Sequence, residues 1–422
     1  MRQIIFAFFL LILTALPAMA APQSANNLKN FDLVWRTVYK EHFDPNFGGV
    51  DWKDLYRIYR PRVEQAKNLA EFTRIINEML FKLKLSHLMV FSENDLKTYI
   101  PTLFAEGSVG INLRWVQNRA IITRIKRGSP ADKAGLRPGY VINRINGRLT
   151  SEFLTEVQWP PPLNQQNRSN LTASYLMGLL DGPPGTHVKL GYSDETDQAH
   201  QLEIIRDPRG AGQIISPAMP AFHIEFEARL LPNDIGYIWF NHFAPPVDIF
   251  FEQALQDFQN TRGLIIDLRG NPGGYFSIMD RIVARLVETE GNLYQLQFRD
   301  KTIQRKIKPA ETTYKQPIAI LIDVTSMSTS ELFSACMQAL GRAIIIGERS
   351  PGYLLGAKWI RLQNNLFFMH TNLLPLPLSG RIVEGNGIIP NIEIALEHNL
   401  LLKGKDSQLE AAREYFLKMQ QD

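Results

Sequence analysis

Three short apolar runs, LIIDL at 264–268, IAILIDV at 318–324 and AIIIG at 343–347, constrain the fold of this chain more than any other feature. A strand with one face in water alternates apolar and polar residues; a run that does not alternate must be covered on both faces. Segments of helical periodicity precede the first run, at 247–260, and separate the others, at 275–288 and 329–340. Strand, helix and strand in succession predict a parallel sheet in a βαβ-rich α/β core beginning near Ile235.

The flanking segments read differently. Residues 28–84 are helical in pattern, with Phe72, Ile75, Ile76, Met79, Leu80 and Leu83 at helical spacing behind a capping pair, Asn68 and Glu71. The helix is expected to stop near Lys84 and an extended run to begin at Leu85. Residues 105–207 alternate as short strands punctuated by RPG (137–139) and Asn146-Gly147. The Pro/Asn/Gln-rich stretch 158–170 reads as a surface loop, and 208–220 as a linker. A helix capped through Ser407 and Glu410 closes the chain. The division expected is 1–20 leader, 21–104 helical segment, 105–207 β module, 208–220 linker, 221–403 α/β core and 404–422 C-terminal helix.

The leader follows from Arg2, the apolar stretch from Ile4 to Leu16 and Ala18-Met19-Ala20, with cleavage expected after Ala20. The expectation is export to the periplasm or beyond, with no stable membrane anchor. The single cysteine, Cys336, allows no internal disulfide, and its place between apolar neighbours in a helix suits packing better than chemistry. With 46 basic against 42 acidic residues and no basic tract interleaved with aromatics, the chain offers no case for nucleic acid. Eight histidines form neither HExxH nor a Cys/His cluster, so no metal and no other cofactor is implied.

Chemistry concentrates at 325–347, TSMSTSELFSACMQALGRAIIIG, where a Ser/Thr cluster runs into an amphipathic helix. Such hydroxyls can cap the helix, whose first N–H groups lack intrahelical partners. The same place suits a nucleophile, because free N–H donors and the helix dipole stabilise a developing oxyanion. Deciding between the two requires a base, an orienting acid and an oxyanion pocket elsewhere in the chain.

Residues 128–139, GSPADKAGLRPG, closely resemble the signature of PDZ domains in bacterial proteases, with Tyr140 where Asp is usual. Ser108, Val109, Gly110 and Ile111 then correspond to the loop that receives a peptide's C-terminal carboxylate. Followed in order by IGYI (235–238), DLRGNPGG (267–274) and STSE (328–331), the pattern resembles the tail-specific, or C-terminal processing, serine protease family and its Tricorn-core relatives. The resemblance implies a PDZ-like module, a crotonase-like catalytic core and peptide or protein substrates, with oligomerisation left open.

It also implies roles. Ser328 matches the nucleophile. Where the processing branch carries its lysine base this chain has Tyr353, a phenol with no amine, and Lys358 is out of register. The Tricorn-like branch uses a Ser-His-Ser-Glu tetrad, and Ser86-His87 and Glu384, in EGNGIIP (384–390), stand at the corresponding places. His87 is then the base and Ser86 and Glu384 its orienting pair. The Gly273-Gly274 turn and Thr329 supply the oxyanion hole, Asp267 and Arg269 brace that turn, and His242 is a reserve base. The function expected is an exported serine endopeptidase. The alternative is a catalytically silent carrier of apolar ligands or peptides, as in relatives resembling interphotoreceptor retinoid-binding protein.

Overall fold

The computed structural model describes residues 21–99, 105–155, 165–209 and 223–419. The expected leader and nearly all of the expected linker lie outside the described residues.

The apolar runs form the middle of a six-stranded sheet, ordered Phe226–Leu231, Ile235–Phe240, Gly263–Asp267, Ile318–Ile322, Ala343–Gly347 and Ile392–Glu393. Only the first pairing is antiparallel. Alternate side chains serve two cores. Ile238, Phe240, Leu264, Ile266, Ile320 and Ile345 pack under the helices Val247–Asp257, Phe276–Ala284 and Thr329–Ala339. Tyr237, Trp239, Ile265, Ala319, Leu321 and Ile346 face the helix Ser407–Lys418 through Ala412 and Phe416. Full burial of both faces explains why these strands show no period-two signal. The cap of that last helix is Asp406, which accepts from Gln408 and Leu409, rather than the expected Ser407.

A second sheet joins the N-terminal segment to the core. The long strand Leu366–Pro377 pairs antiparallel with Met89–Ser92, Gly356–Arg361 and Gly291–Gln297. The helices Trp52–Glu64 and Leu69–Leu80 bury Trp52, Phe72, Ile76 and Met79 against Val90, Leu366 and Phe368. A 3-10 turn, Phe81–Leu83, ends at Lys84 in the left-handed region, as the sequence pattern requires of a helix stop. Ser86-His87 is thereby fixed just ahead of a strand anchored in the core.

The β module is an antiparallel sheet ordered Ile111–Val116, Arg119–Ile125, Val141–Ile145, His187–Ser193 and Ala199–Ile205. One expectation fails here. Residues 165–170, expected in a surface loop, open the helix Gln165–Leu180, which buries Ala173, Leu176 and Leu180. Its polar first turns hide the helical signal because its burial comes from docking rather than from an apolar stripe of its own. Arg114 reaches the α/β core to pair with Glu348 (3.1 Å, Nη2 to Oε1) and Asp323 (3.5 Å). Arg124 pairs with Glu227 and stacks 3.6 Å over the Trp239 ring.

Candidate active site

Ser328 precedes the first residue of the helix Thr329–Ala339 with φ 55° and ψ −117°, a conformation non-glycine residues adopt only when their surroundings enforce it. Its N–H donates to the Tyr353 carbonyl (3.0 Å) and to Glu331 Oε2 (3.0 Å). The neighbouring hydroxyls are committed elsewhere. Ser326 Oγ donates to the Leu268 carbonyl (2.8 Å), Thr329 Oγ1 to the Gly274 carbonyl (2.6 Å) and Ser330 Oγ to the Asn271 carbonyl (3.0 Å).

The glycine turn closes over this segment. A Cβ on Gly273, at φ +102°, would sit 2.7 Å from the Thr329 nitrogen and 2.8 Å from the Ser328 Cβ; only glycine admits that approach. The Gly273 N–H is taken by Asn271 Oδ1 (2.8 Å). Fully buried Asn271 also accepts from Met327 N and donates to the Phe240 carbonyl, locking the 271–273 turn onto the 327–330 turn. Asp267 and Arg269 brace from behind: Arg269 pairs with Asp267 (2.6 Å) and with Asp406 of the C-terminal helix (2.8 Å).

Ser86, His87 and Glu384 come together. Ser86 Oγ lies 2.8 Å from His87 Nδ1 and donates to Glu384 Oε2 (2.9 Å), while the Ser86 N–H donates to Oε1 (2.7 Å). The Leu354 N–H adds a third donor to Oε2 (2.8 Å). With Glu384 ionised the proton order is forced. Ser86 gives its hydrogen to the carboxylate, so it accepts from His87 Nδ1–H, and Nε2 carries the lone pair. Burial raises the Glu384 carboxyl to about 7 and lowers the half-buried His87 to about 4.

Among the described residues no hydrogen bond joins His87 to Ser328. The two halves meet through the 350–354 turn, which gives the Tyr353 carbonyl to Ser328 and the next N–H, Leu354, to Glu384. The Tyr353 phenol is held protonated by burial and by the nearby Glu384 and Glu331 charges, so it is no substitute for a lysine base. Lys358 pairs instead with Glu41. His242 is buried and shifted down to about 4 by that burial, and Cys336 is fully buried with its thiol pushed well up. Sequence reasoning missed Asn271 and the reach of Glu331. The latter had a signal, a Glu three residues after a Ser at a helix start.

In the β module, Ser108 Oγ accepts from the Gly110 N–H (3.0 Å) and from Arg209 Nη2 (3.0 Å), and Arg209 also pairs with Asp181 (2.8 Å). Val109 is buried, its carbonyl bonded to Ala131 N, and Ile111 opens the edge strand of the sheet. A peptide adding to that edge would meet Leu113, whose N–H now points to Met177 Sδ (3.4 Å) on the helix Gln165–Leu180. Asn170 of the same helix donates to the Val324 carbonyl, at the foot of the turn that carries Ser328.

The site thus combines a mostly parallel α/β core, a Ser at a strained helix entrance, a Ser-His-Glu chain joined to it by one turn, and a docked antiparallel β module. Comparison with known proteins makes this specific. Residues 234–394 match peptidase family S41, residues 24–81 the Tricorn protease C1 domain and residues 101–158 the PDZ domain. Taken together, these matches make the chain similar to the PDZ-containing, C-terminal processing serine proteases.

It is 26% identical over 316 residues to a carboxy-terminal-processing protease of Bartonella bacilliformis, covering 72% of this chain and 64% of that one. It is 23% identical over 395 residues to a putative tricorn protease homolog 2 of Streptomyces coelicolor, covering 85% of this chain and 30% of that one. The chain thus spans less than two thirds of either relative. In fold it is similar to the photosystem II D1 C-terminal processing protease (TM-score 0.55, 19% identity, 90% of this chain and 98% of that one). It is likewise similar to mature CPAF (TM-score 0.60, 14% identity, 94% and 96%). No helix among the described residues is long and apolar enough to cross a membrane.

Proposed function

We propose that this chain is a serine endopeptidase acting on peptides or unfolded proteins, with Ser328 as nucleophile and His87 as general base. The observation that carries the reading is the Glu384–Ser86–His87 chain, which leaves Nε2 as the acceptor, tied by one turn to a strained Ser328. His87 Nε2 takes the Ser328 proton as Oγ bonds to the scissile carbonyl carbon. Nδ1–H stays on Ser86, and Glu384 stabilises the imidazolium that forms. The carbonyl oxygen, now an anion, rests on the N–H groups of Gly274 and Thr329. Gly273, whose N–H is already spent on Asn271, supplies the room for this approach. As the C–N bond breaks, the imidazolium returns its proton to the leaving amine. Water then attacks the acyl-serine by the same route in reverse roles.

The PDZ-type loop at Ser108, Val109, Gly110 and Ile111 is assigned to a substrate's C-terminal carboxylate, and residues 1–20 to an export leader. Treatment with a fluorophosphonate followed by peptide mapping tests the chemical assignment. The label is expected on Ser328, abolished in Ser328→Ala and strongly reduced in His87→Ala. A folded protein that takes no label and cleaves no peptide, yet binds an apolar fluorophore, is the silent carrier instead.

A further inference from the structure

Glu331 has no part in the nucleophile–base scheme above, yet its carboxylate accepts more hydrogen bonds than that of Glu384. Only 1% of its surface is exposed, and it accepts from four donors. Oε2 takes the N–H groups of Ser328 (3.0 Å) and Tyr353 (2.8 Å); Oε1 takes the Gly352 N–H (2.7 Å) and the Ser350 hydroxyl (2.6 Å). One of these donors belongs to the nucleophile itself and three to the turn that leads to Leu354 and so to Glu384.

That turn is interlocked with the loop carrying Glu384. Ser350 Oγ also accepts from Ile388 N (2.7 Å), and the Gly385 N–H donates to the Gly352 carbonyl (2.7 Å). A Cβ on Gly387 would lie 2.1 Å from the Ser350 carbonyl oxygen, and one on Gly352 2.6 Å from the Gly387 nitrogen. The two segments pass each other at backbone contact, so a shift in one moves the other.

We propose that Glu331 is a positioning residue: its carboxylate clasps the strained Ser328 backbone and the 350–353 turn together, setting the nucleophile in register with the Glu384–Ser86–His87 chain. The inference rests on the serine-peptidase reading of the same site. A four-donor carboxylate suits the task because Ser328 at φ 55° has no intrinsic preference for its conformation and must be held there. Burial against these donors is costly, since it raises the Glu331 carboxyl to about 7 despite all four bonds. An ordinary helix cap needs no such burial.

The test compares the wild type with Glu331→Gln and Ser350→Ala in peptide cleavage, fluorophosphonate labelling of Ser328 and thermal melting. Glutamine keeps the volume but turns an NH₂ toward at least one of the N–H donors. The expected result is a kcat lower by on the order of 10²-fold, the scale of an ångström-level misplacement. KM should stay within about two-fold, since the clasp touches no substrate group, and labelling should slow in parallel with kcat. Ser350→Ala, which leaves the carboxylate its three N–H donors, should lose kcat in the same direction but less. A folded Glu331→Gln protein with kcat and labelling rate within about three-fold of wild type overturns the clasp while leaving the peptidase reading intact. Should Glu331→Gln fail to fold, unchanged kcat in Ser350→Ala overturns it equally. A wild type that neither cleaves nor labels refutes the peptidase reading and the clasp with it.

Discussion

Replacing Glu384 by glutamine isolates the electrostatic part of the proposed mechanism. The carboxylate accepts Ser86 N, Ser86 Oγ and Leu354 N at 2.7, 2.9 and 2.8 Å. A glutamine has one acceptor oxygen and one donor nitrogen. With the oxygen at the Oε2 place, the NH₂ opposes the Ser86 N–H. With the amide reversed, the NH₂ opposes Leu354 and donates to Ser86 Oγ, which then gives its hydrogen to His87 Nδ1 and leaves Nε2 protonated, unable to act as base.

One orientation orphans a backbone donor at about 1–3 kcal/mol, and the other also fixes the wrong tautomer. Together they imply a loss of kcat on the order of 10²–10⁴-fold. The pH profile separates this from simple damage. Because Glu384 titrates near 7 and His87 near 4, wild-type kcat should rise with pH through about 7 as the carboxylate ionises, while the imidazole stays neutral across that range. The residual activity of Glu384→Gln should lack this rise. Steady-state kinetics on a fluorogenic peptide from pH 5 to 9, with folding checked by circular dichroism, reads both quantities. A wild-type rise that persists unchanged in Glu384→Gln refutes the relay.

Gly273→Ala should abolish fluorophosphonate labelling and destabilise the protein by roughly 1–3 kcal/mol in denaturant titration, because it combines a strained φ with contacts of 2.7 and 2.8 Å. Lys358→Ala should leave kcat unchanged and stability within about 1 kcal/mol, since it removes only a partly exposed pair with Glu41. His370 is fully buried with no hydrogen bond to either ring nitrogen, and burial lowers it to about 3. Such a group favours the folded state above its unfolded value of about 6.5 and loses that contribution as pH falls through its folded value. His370→Leu should therefore resist acid better than wild type in melts between pH 3 and 7. Amidating a peptide's C-terminus should weaken its binding by on the order of 1–3 kcal/mol if Ser108, Val109, Gly110 and Ile111 grip the carboxylate. Met177→Ala, which frees the Leu113 N–H, should tighten binding of the free acid in a fluorescence titration.

The sequence by itself determined the features that local pattern encodes. The strands at 264–268, 318–324 and 343–347 declare themselves because residues buried on both faces are apolar at nearly every position. The helix entered at Thr329 and the tight turn at Gly273 and Gly274 follow from caps and glycines within a few residues, and the stop near Lys84 from the end of the helical apolar spacing. Ser86-His87, Ser328 and Glu384 could be picked out by motif order, with no geometry attached.

Only the tertiary structure decided how they act. Ser86 and Glu384 are 298 positions apart and meet because Met89–Ser92 pairs with Leu366–Pro377, a register no local signal contains. Diversion of the Gly273 N–H to Asn271, the hold of Glu331 on the 350–353 turn and the helix at 165–180 likewise depend on partners distant in the chain. The physical reason is common to all of them. Hydrogen-bond satisfaction and burial are properties of the packed state, whereas periodicity and capping are properties of the chain.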